Sequence, residues 1–68
     1  MTTLYAKGLV KGDGLVAYLW GYGNYKYEIE CRRLRSGSSV CTLSEVFESS
    51  YEEAMEKFEK TVDKVVML

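Results

Sequence analysis

Tyr25-Lys26-Tyr27-Glu28-Ile29-Glu30-Cys31-Arg32-Arg33-Leu34-Arg35 is the stretch that decides the fold of this chain. Through Cys31 its odd positions are apolar and its even positions charged. That period of two is what a strand needs to bury one face and wet the other. The wet face starts mixed, with Lys26, Glu28 and Glu30, and ends basic at Arg32, with Arg33 and Arg35 close by. Three arginines within four residues repel one another, and arginine is the residue suited to planar, bidentate contact with carboxylate or phosphate. A binding surface is therefore one reading of the strand end. Charge placed there to keep a sheet edge from aggregating, with Glu28 or Glu30 neutralising it, is the other.

Working outward, residues 3–10 read as a first strand and Lys11-Gly12-Asp13-Gly14 as a turn. Residues 15–22 form a second strand, whose nearly continuous apolar run predicts a central position with both faces at least partly covered. Gly23-Asn24 has the composition of a two-residue hairpin turn, so the third strand runs over 25–34. Ser36-Gly37-Ser38-Ser39 turns the chain again, and residues 40–47 form a fourth strand. Three short hairpins in succession predict an antiparallel meander.

Ser50-Tyr51-Glu52-Glu53 fits a capping box and opens a helix over 50–62. Tyr51, Ala54, Met55, Phe58, Thr61 and Val62 fall on one stripe, the surface to be laid on the sheet. The β-branched ending favours a short strand over 64–68, with a longer helix as the alternative. The expected architecture is thus one α+β domain over 1–68: an antiparallel sheet of four to five strands packed on one face by a single C-terminal α-helix.

The bulk numbers narrow the function. The net charge of −1 conceals a bipolar chain: residues 1–44 carry +3 and residues 45–68 carry −4. General adhesion to nucleic acid asks for a basic domain, so such contact here is local. There is no histidine, which removes the usual general base and metal ligand. Two cysteines alone do not make a structural zinc site. The glycines belong to hairpin turns and form no phosphate-cradling loop. Glu52, Glu53, Glu56 and Glu59 read as a solvated helix face. No enzyme, cofactor or metal is expected. Cys31 and Cys41, on neighbouring strands, read as reduced, buried small hydrophobes of an intracellular protein, with a cross-strand bond as the alternative. The apolar runs are too short to span a membrane. Beyond the arginine group the candidates are Lys26 and Lys7, Asn24 at a turn tip and Tyr5, which alternates with Lys7 and is expected to be exposed.

In length and order the whole chain resembles the ninth family of type I-F anti-CRISPR proteins. The resemblance rests on Leu4-Tyr5 in the first strand, the Gly21-Tyr22-Gly23-Asn24-Tyr25 turn and Arg32 after the alternating strand. Phe47-Glu48-Ser49-Ser50-Tyr51-Glu52-Glu53 before the helix and the apolar C-terminus add to it. The resemblance implies a small phage-encoded inhibitor acting as a monomer in the bacterial host cytoplasm. Its partner would be the Cas7-type backbone subunits of a type I-F crRNA-guided surveillance complex, where it would block target DNA hybridisation sterically. Tyr5, Asn24 and Arg32 match positions of the contact surface, and Lys26, Arg33 and Arg35 extend it. Where relatives place lysines flanking Arg32, this chain has Cys31 and Ser36, which leaves at most a weak non-specific DNA contact. The rival expectation is a small nucleic-acid-binding module using the basic end of the third strand.

Overall fold

The computed structural model describes residues 2–10, 12, 14–35 and 38–68, with Leu34, Arg35 and Ser38 described by backbone alone. Five strands and one helix follow one another: β1 (Thr3–Val10), β2 (Val16–Gly23), β3 (Lys26–Arg35), β4 (Ser38–Glu48), α1 (Tyr51–Thr61) and β5 (Val62–Met67). The sheet order is β4-β3-β2-β1-β5 and every pairing is antiparallel. Strands β1 to β4 are the expected meander. The helix then carries the chain back over the sheet so that β5 pairs with β1.

Ser50 caps α1 as the sequence asks. Its hydroxyl accepts from the Glu53 N–H at 3.2 Å, and its own N–H donates to Glu53 Oε1 at 3.3 Å. The stripe then lands Ala54 and Phe58 on a core of Ala6, Ala17, Leu19, Tyr27, Ile29, Cys31 and Val62. Small residues lie where backbones approach closely. A side chain at Gly8 would collide with the Lys64 carbonyl and the Val62 side chain.

Two expectations are corrected and a third is refined. The β2–β3 loop is Asn24–Tyr25, one residue later than Gly23-Asn24, and both residues have positive φ, 54° and 61°. That is the backbone of a hairpin turn whose twist matches the strands it joins. Strand β2 is central with both faces at least partly covered, as expected: Ala17, Leu19 and Gly21 are buried on one face, and Val16, Tyr18 and Trp20 are half-buried on the other. Their bulk shields one another, and the apolar run reflects aromatic shielding rather than a second layer. The cysteines do not form a buried pair. Cys31 is buried and Cys41 exposed, because a bulge opposite Cys31/Arg32 puts Cys41 beside Arg32 on the face away from the helix. Opposite faces also rule out the cross-strand bond.

Lys11-Gly12-Asp13-Gly14 falls partly outside the described residues, and Ser36-Gly37 of the expected turn wholly. Ser38 and Ser39 of that turn belong instead to β4, paired with Arg35 and Leu34, so that strand starts two residues earlier than expected. No helix among the described residues is long and apolar enough to cross a membrane.

Candidate functional site

One face of the sheet is covered by α1 and the other is open. Register arranges the open face in cross-strand rows. Leu4, Trp20, Glu28 and Val46 make one row; Val66, Lys7, Tyr18, Glu30 and Ser44 the next; Lys64, Leu9, Val16, Arg32 and Cys41 the third. Apolar side chains remain accessible there, with Leu9, Val46 and Val66 each at least half exposed. This surface is flat: no pocket is found among the described residues, nor a cluster of ligands able to hold a metal ion.

Its centre is a hydrogen-bonded network on two carboxylates. Glu30 Oε1 accepts the indole N–H of Trp20 at 3.1 Å, and Glu30 Oε2 pairs with Arg32 Nη1 at 2.8 Å. Arg32 is held from its other side by Ser39: Nε donates to the Ser39 hydroxyl, and Nη2 donates to the Ser39 carbonyl at 3.0 Å. All three guanidinium nitrogens are engaged, which uses three of the five N–H groups and leaves two without a partner among the described residues. Glu28 accepts from the Tyr22 hydroxyl and from the Ser44 hydroxyl. The Tyr22 phenol, donating to that carboxylate, has its pKa pushed up to about 12, with desolvation adding to the effect. The rings of Tyr18 and Trp20 lie 6.4 Å apart in the same patch.

The residues singled out from the sequence do not form one cluster. Arg32 and Lys26 share the open face at opposite ends of β3, six positions and roughly 20 Å apart. Asn24 sits at the hairpin tip beyond Lys26, where its left-handed backbone gives it a conformational reason to be there. Arg33, next to Arg32, points to the helix side and pairs with Val40. Arg35 pairs with Ser38 at the strand end, and its side chain lies outside the described residues. Lys7 is exposed on the open face opposite Tyr18.

Tyr5 departs furthest from expectation. A register shift between Leu4 and Ala6 turns it off the open face. Its ring packs 5.2 Å from that of Tyr51 and 6.2 Å from that of Tyr27, against the core under the helix. Half-buried rather than exposed, it belongs to the packing of α1 on the sheet.

Of the residues that build the open-face network, Glu28 and Glu30 were read from the sequence as neutralising the arginines, and Glu30 does pair with Arg32; Trp20, Tyr22, Ser39 and Ser44 were not among the sequence candidates. A signal was present: Tyr18, Trp20 and Tyr22 recur every second residue, as do Lys26, Glu28, Glu30 and Arg32 on the next strand. Adjacent Leu15, Ala17 and Leu19 masked the first period. No family model, curated protein or solved structure matches this chain.

Proposed function

We propose that this chain is a binding protein that performs no reaction of its own: a type I-F anti-CRISPR inhibitor that docks its open sheet face on Cas7-type backbone subunits and so blocks target DNA hybridisation. The observation that carries the reading is the joining of Trp20 and Arg32 through Glu30 on a face that none of the described residues covers. Trp, Tyr and Arg dominate the energetic centres of protein interfaces. Here they stand together, held in place, within a rim of exposed Leu9, Val46 and Val66. The family and the partner follow from the resemblance carried by the whole chain. The monomeric state, the bacterial cytoplasm and a weak non-specific DNA contact belong to the same proposal. Tyr5 supports the helix, so its part in binding is indirect.

Direct nucleic-acid binding is the weaker reading. Three of the five N–H groups of Arg32 are already used, and Glu30 and Glu28 stand in the next two rows of the same face, where they repel phosphates. A phosphate-bound protein would also lose affinity steeply as salt rises.

The test uses a purified, crRNA-loaded type I-F surveillance complex. The protein co-elutes with it at moderate salt and prevents the complex from shifting target DNA. Arg32→Ala weakens that inhibition by about 2 kcal/mol, roughly thirtyfold. Failure to co-elute, with target binding unchanged at saturating protein, overturns the reading. Capture of DNA alone moves the function to the nucleic-acid class.

A further inference from the structure

We infer that Glu30 is a positioning residue of the open face, holding Trp20 and Arg32 as one rigid unit and contributing to binding through them rather than by touching the partner. This rests on the reading of the open face as the docking surface.

Both oxygens of Glu30 point at residues of its own chain. One takes the Trp20 indole N–H at 3.1 Å and the other the Arg32 guanidinium at 2.8 Å. Its side chain is 18% exposed against 31% for that of Arg32, so the carboxylate lies lower in the face than the group it holds. An arginine on a strand normally surrenders rotamer freedom on binding. Arg32 has surrendered much of it already. Ser39 grips the Nε/Nη2 edge through its hydroxyl and carbonyl, and Glu30 fixes Nη1. Among the described residues, two N–H groups remain for a partner. The indole is fixed by the same carboxylate, so an apolar plane and a charged donor keep a constant offset. Removing Glu30 leaves both contact groups in place but separates them.

The experiment is a double-mutant cycle on inhibition of the same surveillance complex, with Glu30→Gln, Arg32→Ala and the pair. Glu30→Gln weakens binding about fivefold while Arg32 is present. In the Arg32→Ala background the same change costs less than about twofold, since the group that Glu30 holds is gone. A readout on the free protein needs no partner: the Nη1–H of Arg32 that Glu30 accepts gives an exchange-protected NMR resonance, lost in Glu30→Gln while the Nε–H bonded to Ser39 stays protected. In Glu30→Gln the Trp20 indole N–H resonance moves while the backbone amide spectrum holds. An Arg32 Nη1–H that exchanges like that of a free arginine overturns the inference. So does a Glu30→Gln loss that is equal in both backgrounds, or no loss at all while Arg32→Ala is impaired. If Arg32→Ala inhibits like the parent protein, the docking reading fails and the inference falls with it.

Discussion

The ring of Tyr5 lies over Gly21 across the β1–β2 pair, in the space where a side chain at position 21 would begin. Glycine in a central strand weakens the strand unless something covers it, and here an aromatic from the neighbouring strand does so. The β-bulge between Leu4 and Ala6 exists to aim that ring, and Tyr51 of the helix then closes over it. Tyr5→Ala should cost about 2 kcal/mol by emptying the site. Gly21→Ala should cost about 1–3 kcal/mol by forcing the ring out. The two are coupled: once Tyr5 is gone, alanine at 21 is neutral or stabilising, as expected for a better strand former. Urea unfolding of the four proteins checks this, and additive costs would refute the packing account.

The hairpin tip carries a conformational cost. Asn24 and Tyr25 both have φ near +60°, where a β-carbon crowds the backbone by about 1–2 kcal/mol and asparagine is tolerated better than tyrosine. The Tyr25 side chain is 74% exposed, so little packing is lost with it. Its carbonyl accepts from the Ser49 N–H at 2.9 Å, a backbone bond indifferent to the side chain. Tyr25→Gly should therefore stabilise the protein by about 1 kcal/mol, equivalent to about 4–8 °C in Tm for a domain of this size. Asn24→Ala should destabilise it by a similar amount. Thermal melts decide, and a lower Tm for Tyr25→Gly contradicts the strain.

These two sites mark how far the sequence could be read. Alternation in 25–34, the Ser50 capping box and the β-branched ending led to the sheet, the helix and the return strand, because each follows from local period and propensity. What stayed hidden was set by register. A one-residue shift at Leu4/Ala6 sent Tyr5 to the core, and one at Cys31/Arg32 sent Cys41 to the surface. A bulge reverses every later side chain and leaves almost no mark in composition. Arg32 was legible because it continues an unbroken alternation. Glu30 was legible with it, on the same alternation; Ser39, which holds Arg32 from the next strand, and Trp20, which reaches Glu30 from the strand before, were not.

The bulge beside Arg32 gives the two thiols opposite chemistry. Burial pushes the Cys31 pKa up, with the proximity of Cys41 and Glu30 adding to it, so its thiolate is scarce at neutral pH. Cys41 is open to solvent. In the native protein at pH 8, a thiol reagent such as dithionitrobenzoate should titrate one equivalent rapidly and the second only on unfolding. Cys41→Ser should abolish the fast phase, and Cys31→Ser should leave it intact. Two fast equivalents would place Cys31 at the surface and undo the register of β3 and β4.

Tyr22 supplies a pH signature of the open face. Its hydroxyl donates to Glu28, and ionisation would leave two anions facing each other, which is why its pKa rises from about 10 to about 12. A group whose pKa is raised by folding stabilises the protein fully below its unfolded value and loses that contribution as pH climbs through the folded one. The contribution from Tyr22 is thus intact up to about pH 10 and disappears between about pH 10 and 12. Subtracting the alkaline absorbance titration of Tyr22→Phe from that of the parent isolates this phenol, with an expected midpoint of about 12. Glu28→Gln removes the charge but keeps a hydrogen-bond acceptor, so the midpoint should fall toward the ordinary value while Trp20 and Arg32 stay bridged by Glu30. A parent midpoint near 10 would mean that Tyr22 and Glu28 do not meet, and the order of the open-face rows would have to be redrawn.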